Sequence, residues 1–517
     1  MHGIILTDNT FLAKNQGIGR GTGAHKIATH LRQHGFCIEV IDFILRWNLE
    51  QFQNLCKKLT TKHTLFLAIG TNLFDDDTSL NDKLKWYKSQ YPQVKIILGG
   101  NNLMTRDIQH VDHRVEGYAE KSMLKLLEYL SGSCSIDDVK WHPRWPKGTI
   151  IDSTKDYPLA AEDTQDLRIE YLKSDFIKKN ESLGLETARG CIFNCKFCTY
   201  PLIGKKKVDY LRDIKTIKQE LINNHEQHGI KNYIISEDTF NDTQQKLIAM
   251  AEVASGLPFK LSLVAYLRFD LIMAYPDSYK LLKACGLRGT FFGIETFNRE
   301  AGRLAGKGGD PARIKEHLLR WAENMPEVQT QCGHITGLPL DDEETQWQTL
   351  EWYKKNKIQR WNWNPLYIVN TEKNIHASEF SKNFKKYKLE IMSENEVNAE
   401  INNDEQFSHM KNWSHYMNST HMNKIIFWKN QDNSMNYFKA TRLANNLNLA
   451  SKTRLMGPWL MFMYSGLGYC FDDMQSWGYF DVKPHVPEID IEQKTKQFVQ
   501  DYIKQKLEHK YILSSDT

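Results

Sequence analysis

Three cysteines carry the strongest chemical signal in this chain. They stand in Arg189-Gly-Cys191-Ile-Phe-Asn-Cys195-Lys-Phe-Cys198, a CxxxCxxC. Nine cysteines scattered at random over 517 residues give only about 0.003 such triplets, so the spacing reads as a metal site. A structural zinc site takes four protein ligands, yet no other cysteine or histidine lies between His142 and His225 to supply a local fourth. Three thiolates without a fourth suit a cubane 4Fe–4S cluster with one iron open to a small-molecule ligand; zinc is the lesser alternative. Cys37, Cys56, Cys134, Cys285, Cys332 and Cys470 are isolated, which argues for reduced thiols rather than a disulfide framework.

Other candidates close apolar runs. Glu237 and Asp238, in Ser236-Glu-Asp238, and Glu295, in Gly293-Ile-Glu295, fall at the ends of expected strands. Each has a bland reading as an acidic charge at a helix N-terminus, and their joint placement favours function. Gly19-Arg-Gly21-Thr-Gly23-Ala24 fits GxGxxA, and Asp42 ends the next strand, a dinucleotide-binding pattern. Against it, the glycines sit about a dozen residues past Leu6, whereas that fingerprint follows its strand directly. Lys205-Lys-Lys207 reads as a solvated run or a contact to an anionic substrate.

Periodicity supplies the elements that must position these residues. From Gly3 to about Gly132, short apolar runs (GIIL, CIEVIDF, TLFLAIG, VKIILGG, HRVEG) alternate with helical patterns, which argues for a doubly wound parallel sheet. A polar stretch with Pro143, Pro146 and Pro158 reads as a linker. A second alternation from LGLETARG to RWNWNPLY, six strands with five intervening helices, predicts a partial (β/α)6 barrel whose functional loops sit at the strands' C-terminal ends. The expected organisation is α/β: 1–132 a Rossmann-type sheet, 133–182 a linker, 183–381 the barrel and 382–517 a mostly helical substrate or capping unit. Trp413, Trp428, Trp459, Trp477, Tyr464, Tyr469 and Tyr479 in that last unit read as core aromatics.

Composition sets the outer bounds. With 41% hydrophobic and 25% charged residues the chain is of the soluble globular type, and a net charge of +4 gives no bulk field for nucleic acid or an anionic membrane. The N-terminus has no secretory pattern, and the apolar run Met456 to Phe471 is broken by Gly457, Pro458, Gly466 and Gly468, so a cytoplasmic protein without a membrane span is expected.

On its CxxxCxΦC spacing, with Phe197 as the aromatic Φ, the sequence resembles the radical S-adenosylmethionine (SAM) superfamily from roughly Leu183 to Val369. The resemblance implies that Cys191, Cys195 and Cys198 hold a 4Fe–4S cluster whose open iron is chelated by the amine and carboxylate of SAM. It also implies that Phe197 packs beside the adenine, and that reductive cleavage of SAM yields a 5′-deoxyadenosyl radical with an electron from a flavodoxin- or ferredoxin-type donor. Glu237 and Asp238 stand where the family commonly has a Gly-Gly-Glu turn for the SAM amine, although the glycines are absent. Glu295 resembles the end of the Gly-Ile-Glu segment that faces SAM, and Gly337, in Gly333-His-Ile335-Thr-Gly337, resembles the GxIxG stretch beside the adenine.

The N-terminal region is similar to cobalamin-binding domains that precede such barrels. Thr71-Asn-Leu73, Gly99-Gly100 and Val115-Glu-Gly117-Tyr-Ala-Glu120 occupy the places that meet the corrin and its nucleotide tail, with Thr71, Gly99 and Gly100 the expected contacts. After the first strand stands Asp8-Asn-Thr10-Phe-Leu-Ala13 in place of DxHxxG, so no axial histidine is expected from that loop. The resulting reading is a radical SAM enzyme acting on a small-molecule or peptide substrate, first as a cobalamin-dependent methyltransferase. The alternatives are a cobalamin-independent radical SAM enzyme (rearrangement, epimerisation, cyclisation or RNA methylthiolation) and a non-catalytic cluster or corrin sensor. Methylthiolation is disfavoured because Cys37, Cys56 and Cys134 lack that family's cysteine spacing.

Overall fold

The computed structural model describes residues 2–8, 18–70, 77–100, 108–198, 211–237, 239–356, 358, 360–368, 378–410, 426–451 and 491–511. Among these residues no helix is long and apolar enough to cross a membrane. Two six-stranded parallel sheets carry the chain. In the first, β1 (Gly3–Thr7), β2 (Ile38–Ile41), β3 (Phe66–Gly70), β4 (Lys95–Gly100), β5 (His113–Glu116) and β6 (Ile150–Asp152) lie in the order β2-β1-β3-β4-β5-β6. β1, β3 and β4 are nearly continuous apolar runs because helices cover both faces. Side-chain alternation divides them between two cores: Ile4, Leu6, Leu67, Ile69, Ile96 and Leu98 enter one, Ile5, Ala68 and Ile97 the other.

In the second sheet, β7 (Ser182–Leu185), β8 (Asn232–Ile235), β9 (Ser262–Leu267), β10 (Leu287–Glu295), β11 (Gln329–Thr336) and β12 (Trp361–Pro365) are neighbours in chain order, the arrangement of a partial barrel. Leu183, Leu185, Tyr233, Ile235, Leu263, Ala265, Phe292 and Trp363 pack outward into one large core. The alternate positions, including Gly184, Ser236, Tyr266, Gly293, Gln331 and Asn362, then line the inner face, where Tyr266 stacks on Phe291. Helix Tyr437–Ala450 closes the β12 edge, where the Asn448 amide accepts from Trp363 N–H and donates to Trp363 C=O, each at 2.9 Å, as a neighbouring strand would.

Two expectations change. The stretch 133–182 is not only a linker, since it supplies β6, which pairs with β5; a three-residue strand among prolines is too short to raise a periodic signal. The region 382–517 divides. Leu389–Ile391 and Trp428–Asn430 form an antiparallel pair, β13 and β14. The last helix, Ile491–Glu508, instead packs on the first sheet through Phe498, Val499, Tyr502 and Ile503.

Buried charges join these parts. Arg20, 2% exposed, donates to Glu181 Oε1 at 2.6 Å, to Asp42 Oδ2 at 2.9 Å and to the Asp175 carbonyl at 2.7 Å. Its guanidinium lies 5.3 Å from the Tyr502 ring centroid. Asp42 also faces His25 Nε2 at 3.0 Å, and Lys506 of the last helix reaches Glu39 at 2.5 Å. These contacts account for the GxGxxA pattern without a ligand: the acid that a dinucleotide's ribose requires is committed to Arg20 and His25. Desolvation offsets most of what such pairs contribute, but removing one partner strands the other. Arg20→Met therefore lowers stability by about 3–5 kcal/mol, seen as an earlier first transition in urea-induced unfolding followed by circular dichroism.

Candidate metal centre and active site

β7 leads directly into the cysteine loop, and that loop is fixed from four sides. Glu237, after β8, accepts from Thr187 Oγ1 at 2.6 Å and from Ala188 N–H at 2.7 Å, so it ties down the backbone just before the motif. Burial pushes this carboxyl up to about 7, against the opposing attraction of Lys246, whose ammonium lies 3.4 Å away. Lys196 N–H donates to Ala305 C=O and its own carbonyl accepts from Phe380 N–H, both at 2.9 Å. Cys191 and Cys195 are buried and Cys198 is half-buried, and none of the three is in a disulfide. Cys191 Sγ lies 3.4 Å from Thr239 Oγ1, and Arg268 Nη1 donates to Cys195 Sγ at 3.1 Å.

Arg189 is the fourth tie. Nη1 and Nη2 fork onto Glu120 at 3.0 and 2.5 Å, Nε donates to Glu186 at 3.0 Å, and the guanidinium lies 4.4 Å from the Tyr118 ring centroid. Lys26 completes the group through an ion pair with Glu186. Burial alone raises both carboxyls, but Arg189 holds Glu120 below its ordinary value, and Arg189 with Lys26 brings Glu186 down to about 2. Tyr118 and Glu120 belong to the Val115–Glu120 segment expected beside a corrin tail; here they dock the first sheet onto the cysteine loop.

The donor set fits a cluster. Among the described residues no three His, Cys, Asp or Glu groups are gathered closely enough to hold one metal ion. A cubane takes each of its thiolates at a different corner, so three cysteines in one loop suit it. A cationic donor on Cys195 suits a thiolate better than a thiol.

Glu295 ends β10 with φ 69°, where the pairing with β11 slips between Gly293 and Glu295. Its carboxylate meets Lys307 Nζ at 3.1 Å, and the same ammonium donates to the Gly293 carbonyl at 3.1 Å. A side chain at position 293 would collide with this pair, its Cβ falling 2.5 Å from Glu295 Oε1. Gly337 has φ 84° and lies under the Trp428 ring, so neither its backbone nor its space admits another residue. Phe197 packs against the C-terminal core that contains Trp428. In the first sheet, Gly70 pairs with Gly99 and Gly100 with Glu116, leaving adjacent strand ends without side chains, a fit to a flat ligand. Thr71, Asp238 and the Thr10 loop lie outside the described residues, as do Lys205 to Lys207.

Charged residues of this site that escape the sequence reading include Arg268, Lys307, Lys246, Lys26 and Glu186. For Arg268 a signal exists, since a lone arginine directly after an apolar strand in a barrel already carrying a metal motif sits at the functional edge.

The sequence matches the Radical SAM superfamily over residues 185–353. It is 23% identical over 300 residues to the hopanoid C-3 methylase of Methylococcus capsulatus, covering 54% of this chain and 54% of that protein, so the chain spans about half of that relative's length. In fold it is similar to the radical SAM methyltransferase TsrM from Kitasatospora setae, solved with cobalamin and a 4Fe–4S cluster, with a TM-score of 0.57 at 14% identity over 76% of this chain and 81% of that one. The cobalamin-dependent radical SAM enzyme OxsB, with aqua-cobalamin bound, gives a TM-score of 0.53 at 14% identity over 75% of this chain and 56% of that one. Residues 185–353 are therefore a radical SAM domain, and the first sheet together with the barrel has the fold seen in TsrM.

Proposed function

We propose that this chain is a cobalamin-dependent radical SAM methyltransferase that acts on a carbon or phosphorus centre of a small molecule or peptide, in the cytoplasm, with an external flavodoxin- or ferredoxin-type reductant. The observation that carries the reading is the junction at Arg189: it joins the loop of Cys191, Cys195 and Cys198, at the C-terminal edge of the barrel, to the first sheet just beyond β5. Bound there, the cluster and SAM supply a 5′-deoxyadenosyl radical, and cobalamin a transferable methyl group.

In this reading Cys191, Cys195 and Cys198 hold the cluster. Glu295, kept in place by Lys307, presents a carboxylate to SAM, with Phe197 and Gly337 on the adenine side. Gly99 and Gly100 admit the corrin to the strand ends. Glu237 is assigned to the loop rather than to the SAM amine, because its oxygens already accept from Thr187 and Ala188. The relatives named methylase and methyltransferase support transfer of a methyl group over the other radical reactions.

Three outcomes test this. Alanine at Cys191, Cys195 and Cys198 together abolishes iron and sulfide uptake on anaerobic reconstitution, and reductive cleavage of SAM with it; unchanged iron content overturns the cluster assignment. Gly293→Ala and Glu295→Gln each weaken SAM binding to the reconstituted protein about tenfold, a loss of about 1.4 kcal/mol, in equilibrium dialysis. The thermal midpoint of Gly293→Ala stays near wild type, because the atoms it displaces are ends of flexible side chains. Protein incubated with hydroxocobalamin retains the corrin absorption band through gel filtration; an intact cluster without that band moves the reading to a cobalamin-independent radical SAM enzyme.

A further inference from the structure

We propose that Arg268 is a positioning residue for the Cys195 thiolate, setting how readily a cluster held there accepts an electron. The proposal rests on the reading above that Cys195 is a cluster ligand. Arg268 follows β9 directly and is 5% exposed. One side chain from the neighbouring β8 loop fixes its backbone on both sides: Asn241 Oδ1 accepts from Arg268 N–H at 2.8 Å, and Asn241 Nδ2 donates to Arg268 C=O at 3.0 Å.

The guanidinium is then constrained in three further directions. Nε and Nη2 fork onto Asp270 at 2.9 and 2.5 Å. Its flat face covers Phe193, a residue inside the cysteine motif, at 3.7 Å from the ring centroid. Nη1 is left aimed at Cys195 Sγ, 3.1 Å away. Because guanidinium is planar and always charged, fixing its fork and its face also fixes the remaining N–H vector. A thiol is a weak acceptor and gains little from such a donor, whereas a thiolate gains a charge-assisted hydrogen bond. The Cys191 sulfur lies 3.4 Å from the Thr239 hydroxyl.

An electron added to a cluster increases the negative charge shared by its thiolates. A fixed cationic donor favours that reduced form, and hydrogen bonds to the sulfurs are among the determinants of cluster potential. Arg268 thereby eases the first step of any reductive chemistry at this site.

The test is a potentiometric titration of full-length, reconstituted protein, followed by electron paramagnetic resonance of the reduced cluster. R268Q is expected to keep wild-type iron and sulfide content while the reduced-to-oxidised ratio at the wild-type midpoint falls about tenfold, about 59 mV for a one-electron couple. R268K keeps the charge but not the fork, and is expected to shift the midpoint in the same direction by less. It carries the test if R268Q does not fold or assembles no cluster. A wild-type midpoint in either cluster-bearing variant overturns the role of Arg268 and leaves the cluster assignment standing. Wild-type protein that takes up no iron overturns the assignment, and this role with it.

Discussion

The buried guanidinium of Arg189 is the contact on which the relation between the two sheets depends. It stands two residues before Cys191, and it is held by Glu120, the first residue of the helix after β5, and by Glu186, the first residue after β7. With Lys26 the group contains two cations and two anions, so the desolvation of each charge is offset within the group. A neutral substitute at any one member would leave a buried charge without its partner. The geometry of the cysteine loop is thus tied to the first sheet by electrostatics that water cannot screen.

The placement of this ion group has a functional consequence. Glu120 lies beyond the C-terminal end of β5, and Glu186 and Arg189 beyond the C-terminal end of β7. Open parallel sheets and βα barrels both receive ligands at the carboxyl ends of their strands. The ion group therefore brings the ligand-receiving edges of two folds together, the arrangement required if a methyl carrier and a radical source are to serve one substrate. The second clasp, around Arg20 and Lys506, lies at the β2 end of the first sheet and recruits the C-terminal helix. A chain that passes through the barrel and returns to its first domain limits their relative motion.

What was legible in the sequence divides along a physical line. The barrel strands were legible because each is a short apolar run between helical patterns. The cysteine triplet stands out because residue spacing within one loop is a local property. The pairings of Arg20, Arg189 and Arg268 were not legible, since their partners lie up to 161 residues away and no periodicity records them. GxGxxA illustrates the reverse error: glycines and an acid in ligand-like order serve a buried arginine. Helix Ile491–Glu508 has an ordinary amphipathic pattern, which states that one face is covered but not by which domain.

The two acidic candidates at strand ends show how far geometry can separate residues that sequence treats alike. Glu237 accepts an N–H and a hydroxyl and faces an ammonium, so most of its acceptor capacity is used within the protein. Glu295 instead occupies left-handed backbone, a conformation costing on the order of 1–3 kcal/mol for a residue with a side chain. That cost is sustained by the β10 slip and by Lys307, which grips both the carboxylate and the Gly293 carbonyl. A carboxylate offers about four lone-pair sites, and the ammonium of Lys307 leaves some open. Strain retained around a carboxylate with acceptor capacity to spare separates Glu295 from Glu237, whose acceptors are largely used within the protein.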